Sequence, residues 1–265
     1  MRTMSYKILL CLSILPSIIL GYIVYKEDKV EKEPASLLTK LILGWVISAI
    51  LTVIISIILE AIFPFLAIEN KTTLESLIEI LFEVALVEEF CKWLVLKKIT
   101  WNNKEFNYLY DAIVYAVFVS IGFATLENIF YVLDGGIGVA ILRAILSVPG
   151  HIFYGVFMGY YYGISKLGEI NNRNDIKTKN IILSIAIPTI LHSIFDFCIT
   201  NPNMISLTIY LVFIILLYIN AFKKIIKLSK IKKSIIPKQI ISYCPNCGTK
   251  IIGKYCSNCG NQIEK

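Results

Sequence analysis

Glu88, Glu89 and Lys92 lie within VALVEEFCKWLVL, Glu127 within SIGFATLENIFYVL, and His192 and Asp196 within IPTILHSIFDFCI, stretches that are otherwise almost wholly apolar. Arg143 and His151 occupy the apolar sequence between the second and third of these. Such side chains move protons, hold metal ions and stabilise oxyanions. On insertion scales a Lys, Arg or Asp at the centre of a spanning helix costs roughly 2.5–3.5 kcal/mol. Left alone, Lys92, Arg143 and Asp196 would together cost on the order of 8–10 kcal/mol. A chain tolerates that load when the groups face one another or water. The pattern therefore predicts a polar reaction or conduction site between helices.

The spacings carry more detail. Glu88 and Lys92 are four apart and share a helix face, while Glu89 is turned about 100° from Glu88. Lys92 can hold one carboxylate while the other faces a cavity, and spacing alone does not say which. His192 and Asp196 are also four apart, so the carboxylate can orient the imidazole for metal binding or for polarising a carbonyl. Glu127, His151, His192 and Asp196 suit zinc or another divalent metal, which would bring the pKa of a bound water toward about 7. HExxH is absent. Arg143 reads as a structural group or as a charge partner near the outer interface.

The elements that must hold these groups are membrane helices. The chain has 265 residues, 57% of them hydrophobic, and a mean hydropathy of +0.71, which excludes an ordinary soluble domain. About seven spans are expected, at 8–25, 37–59, 74–96, 109–133, 138–165, 180–199 and 204–222. Asp134-Gly135-Gly136 and Asn201-Pro202 read as tight turns. Pro149 is expected to kink the fifth span just before His151, and Pro188 the sixth. The fold class is thus all-α, a polytopic bundle. Loops 26–40, 97–108 and 166–179 carry eleven Lys or Arg, against Lys71 alone in the alternate loops. That asymmetry predicts a cell-membrane protein with its amino terminus outside and its carboxyl terminus cytoplasmic. The net charge of +7 reads as loop and tail lysine near anionic lipid, and no nucleic-acid partner is expected.

Residues 1–222 form the expected transmembrane domain, with a motif-bearing core at about 80–200. A basic juxtamembrane linker, 223–240, and a small carboxyl-terminal module, 241–265, follow it. Cys244, Cys247, Cys256 and Cys259 make two Cys-x-x-Cys knuckles eight residues apart, the spacing of a structural zinc ribbon. A fragment this short has too little core to fold without metal. Cys11, Cys91 and Cys198 read as small apolar core residues.

EEFCK, FATLEN, HIFYG and HSIFD fit EExxK, FxxxEN, HxxxG and HxxxD in order on successive spans. The chain thereby resembles the PrsW family of intramembrane proteases, relatives of the type II CAAX prenyl proteases and bacteriocin-immunity proteins. The CAAX branch ends its second motif in histidine where this chain has Glu127. The resemblance implies site-1 cleavage of a membrane-anchored protein, such as an anti-sigma factor, near the outer face. It also implies Glu88 and Glu89 as catalytic carboxylates, with Lys92, Glu127, His151, His192 and Asp196 completing the site. A metal-dependent and a metal-free glutamate mechanism both stay open, and the metal-dependent one is the expectation. Two other classes compete: an ion- or proton-coupled transporter using the same carboxylates as a relay, and a non-catalytic scaffold signalling through the ribbon.

Overall fold

The computed structural model describes residues 6–68, 71–232 and 234–235 and, in the tail, 242–244, 246–247, 249–251, 258–260 and 262. Apolar runs of this length can bury their backbone polar groups in lipid only as helices, and nine α-helices form among the described residues. They are α1 (Tyr6–Glu27), α2 (Ala35–Leu43), α3 (Trp45–Ile62), α4 (Thr73–Glu79), α5 (Leu86–Thr100), α6 (Leu109–Ile145), α7 (Ser147–Ile170), α8 (Asn174–Thr200) and α9 (Met204–Ser229). The only strands among the described residues, β1 (Ser242–Tyr243) and β2 (Lys250–Ile251), pair antiparallel in the tail.

Among the described residues five helical stretches are long and apolar enough to cross a membrane: Tyr6–Glu27, Ala35–Ile62, Leu109–Ile170, Asn174–Thr200 and Met204–Ser229. Two of the expected seven spans, 109–133 and 138–165, fall in the stretch Leu109–Ile170, which α6 and α7 make as separate helices, and the expected span at 74–96 is divided into α4, Ile80–Ala85 and α5. Loops 28–34, 101–108 and 171–173 and the end of α9 gather at one end of the bundle, the lysine-rich one. Ile57, Ile215 and Leu211 exemplify the apolar side chains that α3 and α9 leave on the outer surface, as lipid contact requires. Cys11 is also exposed, contrary to the core role expected of it, whereas Cys91 and Cys198 are buried.

α6 is the central helix, packed along α7 and against α1 and α2. Its closeness to α7 follows from Gly155, Gly159 and Gly163, four residues apart on one face, a small-residue stripe. A Cβ on Gly159 would stand 2.6 Å from the Ile113 Cα, and one on Gly163 3.0 Å from the Ala112 Cβ.

Three departures from the expected helices shape the site. Between α4 and α5 the chain makes a π-helical turn, Ile80–Ala85, a feature often found beside functional groups. It lies immediately upstream of Glu88. α6 turns at Asp134-Gly135-Gly136 as expected, but its second arm ends at Ile145, short of the expected 138–165 span. It folds back through Gly136 (φ 72, ψ −157), a conformation open essentially to glycine. The helix then restarts at Ser147, so Pro149 falls in the first turn of α7 rather than kinking a longer helix. There its missing N–H leaves no bond unmade. α8 runs through Pro188.

The predicted linker is partly helix, since α9 extends to Ser229 and Lys224 rests over the Tyr160 ring, 3.6 Å from its centroid. Beyond it, Ile235 N and Ser234 Oγ both donate to the Asn107 carbonyl, at 2.8 and 2.9 Å. The linker residues 236–240 lie outside the described residues.

Candidate active site

Four helices bring the expected polar groups together. α5 supplies Glu88, Glu89 and Lys92, α6 Glu127 and Arg143, α7 His151, and α8 His192 and Asp196. Lys92 Nζ is 2.7 Å from Glu89 Oε1 and 3.3 Å from Glu88 Oε2, so one ammonium spans both carboxylates. The side chain of Glu89 is fully buried and that of Glu88 is 14% exposed. Glu88 lines a cavity of about 970 Å³ with Glu127, Arg143, His151, His192 and Asp196, opposite an apolar wall that includes Leu142, Ile199 and Leu207. Glu89 and Lys92 stand behind Glu88. The ambiguity left by the spacing is resolved: Glu88 faces the cavity.

The two histidines are built alike. His151 Nε2 lies 2.8 Å from Glu127 Oε2, and its Nδ1 is 3.4 Å from Lys92 Nζ. His192 Nε2 lies 3.2 Å from Asp196 Oδ2, and its Nδ1 is 3.2 Å from Glu89 Oε1. Each imidazole thus turns one nitrogen outward to a carboxylate, while the inner nitrogen of His151 faces Lys92 and that of His192 faces Glu89. The rings meet edge to face with centroids 4.9 Å apart. One donor atom each from Glu88, Glu89, His151 and His192 lies within 4.8 Å of the others. This set differs from the metal ligands expected from sequence. His151 and His192 belong to both, but Glu127 and Asp196 sit on the outer nitrogens, the position from which carboxylates orient metal-bound histidines.

The donors fit a divalent metal. Two imidazoles with carboxylates suit zinc, and Glu89 Oε2 is a buried oxygen with no hydrogen-bond partner. Lys92 bears on this fit, because its ammonium stands among the same donors.

Two contributors were not legible as site residues. Arg143, on the arm beyond Gly136, places Nη2 3.3 Å from Glu127 Oε1 and donates from Nε to Asn128 Oδ1 at 3.0 Å. Its guanidinium covers Tyr131, and Asn128 in turn donates to the Ser13 carbonyl of α1 at 2.7 Å. The charge-partner reading of Arg143 matches this geometry, and only the fold-back at Gly136 identifies its partner. Tyr154 stacks on His192, with centroids 5.2 Å apart. Its place three residues after His151, on the same helix face, was the available signal.

In the tail, the Cys244, Cys247 and Cys259 sulfurs lie within 4.8 Å of one another, with Cys244 and Cys259 at 3.5 Å. Cys256 lies outside the described residues.

A profile described as "PrsW family intramembrane metalloprotease" matches residues 33–221, a wider region than the motif-bearing core, since it takes in α2, α3 and most of α9. The chain is 34% identical over 218 residues to Protease PrsW of Oceanobacillus iheyensis, covering 82% of this chain and 94% of that protein. It is 33% identical over 215 residues to Protease PrsW of Clostridioides difficile, covering 79% and 87%. With Protease PrsW of Bacillus subtilis it shares 39% over 114 residues, covering 43% and 50%. No solved structure gives a significant match.

Proposed function

The chain belongs to the PrsW family of intramembrane metalloproteases, and from that premise we propose which of its residues cut and what they cut. Glu88 is the general base, because it is the member of the glutamate pair that reaches the cavity. Glu89, His151 and His192 would hold a divalent metal, a donor set of the kind found in catalytic zinc sites. When bound there, a divalent ion such as zinc supplies a Lewis acid that lowers the pKa of water and polarises the scissile carbonyl.

The remaining work belongs to the chain itself. Glu88 takes a proton from the attacking water and returns it to the leaving amine. Lys92 holds Glu88 in place through their 3.3 Å contact and adds positive charge beside the developing oxyanion. Glu127 and Asp196 fix the two imidazoles in orientation from their outer nitrogens, and Arg143 fixes Glu127. The apolar wall accepts the side chains of an unwound spanning segment while the polar wall meets its amide.

The substrate is a membrane-anchored protein, of which an anti-sigma factor is the proposed case. The cavity is lined by the first residues of α9 and the last of α8, at the end away from the lysine-rich loops. With those loops cytoplasmic, cleavage falls near the outer face, the amino terminus is outside and the ribbon is inside. The tail cysteines hold a structural zinc, and the ribbon serves docking or regulation.

One observation carries this reading: Glu88, Glu89 and two histidines, each histidine backed by a carboxylate, converge beside an open cavity with one donor atom of each within 4.8 Å of the others. The test is cleavage of a tagged single-span substrate co-reconstituted in liposomes. Wild type should release the fragment, and Glu88→Gln, inserted and folded normally, should not. Normal release by Glu88→Gln would overturn the assignment of the base.

A further inference from the structure

A second group of buried acids lies at the lysine-rich end, outside everything the protease mechanism uses. Asp28 and Glu33 belong to the link between α1 and α2, and Asp111 to the first turn of α6. One oxygen from each lies within 4.8 Å of the other two, and the three residues are 3%, 4% and 1% exposed. Part of this convergence is ordinary local structure. Asp111 Oδ2 accepts the backbone N–H groups of Asn107 and Tyr108, at 2.9 and 2.7 Å, and the Tyr115 hydroxyl donates to Glu33 Oε2 at 2.6 Å.

The rest has no such explanation. Asp28 Oδ2 and Asp111 Oδ1 are buried with no hydrogen-bond partner. Among the described residues no Lys, Arg or His pairs with any of the three acids. Lys32 is the nearby cation, but its ammonium is drawn to the Tyr25 and Lys26 carbonyls and lies over the Tyr25 ring. Burial pushes the Glu33 carboxyl up to about 8 and that of Asp28 up to about 6, so the bare cluster resists its own charge. Buried carboxylates persist when paired or when they coordinate a metal.

We propose that Asp28, Glu33 and Asp111 form a binding site for a hard divalent cation, Ca²⁺ or Mg²⁺. Carboxylate oxygens without thiol or imidazole are the donors such ions take. The ion ties the α1–α2 link to the start of α6. Glu127 lies sixteen residues farther along that helix, about 24 Å at 1.5 Å per residue, so the site is separate from the protease centre.

The test uses the full-length protein in detergent at pH 8, titrated with CaCl₂ or MgCl₂ while the unfolding temperature is followed. Wild type should be stabilised in a saturable way by at least one ion. Asp28→Asn should lose at least tenfold in apparent affinity while being no less stable than wild type without cation. Should that variant fail to fold, Tb³⁺ luminescence in wild type decides the matter, since Tyr115 can sensitise a lanthanide beside Glu33. That emission should be displaced by Ca²⁺ or Mg²⁺ and should survive in Glu88→Gln. Equal stabilisation of wild type and Asp28→Asn, or emission lost in Glu88→Gln, would place the ion elsewhere and overturn the proposal. So would stability that ignores both cations and only fades as pH rises from 4.5 through 8. That is the sign expected of carboxyls with raised pKa that keep their protons.

Discussion

At one end of α6, Glu127 meets Arg143 and His151. At the other, Asp111 meets Asp28 and Glu33 with no basic side chain paired to them among the described residues. Around the protease centre four acids, Glu88, Glu89, Glu127 and Asp196, face Lys92, Arg143 and two imidazoles. Acidic and basic side chains face one another there, so the buried groups find partners within the bundle. The acid cluster has one sign only and needs protons or a cation from solution. Burial of similar groups therefore has different consequences at the two ends. Removing a fully buried partner should cost the first stability, whereas removing an acid should ease the second.

The largest effect that would sharpen this contrast is on Glu88 and Glu89. Glu88→Gln should lower cleavage by at least about 10²–10⁴-fold, the usual contribution of a general base, with little change in unfolding temperature. Glu89→Gln should also abolish cleavage and, by stranding the buried Lys92, destabilise the protein by about 3–5 kcal/mol. Adding Lys92→Met to it should restore much of the stability but none of the activity. A double variant as unstable as Glu89→Gln would break the charge-pairing account.

A smaller effect is expected at Arg143. Arg143→Ala frees Glu127 and should reduce activity by about 10–100-fold, the range found when groups orienting metal ligands are lost. Arg143→Lys should recover part of it. A protein indifferent to both would mean that Glu127 is held without the arm beyond Gly136.

The smallest effect should come from the tail. Removing residues 240–265 should leave cleavage by the membrane core within about threefold and eliminate one bound zinc per chain, read by atomic absorption. A second zinc, retained in the truncated protein and lost in His192→Ala, would locate the catalytic metal. Loss of all activity on truncation would favour a scaffold whose output is the tail.

Much of the site was legible because charge is so costly among apolar residues that every acid or imidazole in a span stands out. His192 and Asp196 also disclosed their pairing, since a separation of four puts partners on one face, whereas the spacing left open which carboxylate Lys92 would hold. What spacing could not disclose were relations across helices. That Glu127 belongs to His151 depends on the depth to which α7 is inserted, which the glycine stripe from Gly155 to Gly163 controls. That Arg143 reaches Glu127 depends on the backbone at Gly136. The π-helical turn at Ile80–Ala85 left no mark in an apolar run where helical periods blur. The acid cluster was hidden for a different reason: Asp28 and Glu33 sit in a lysine-rich loop, where acids read as ordinary surface charge.

The clip between Ile235, Ser234 and the Asn107 carbonyl sets a radius of action for the tail. From Ile235 to Ser242 there are seven residue steps, at most about 25 Å of chain. The cysteine module is therefore leashed to the loop that begins α6. A protein recruited by it would arrive at the lysine-rich face beside Asp111, about 24 Å along α6 from Glu127 of the proposed active site.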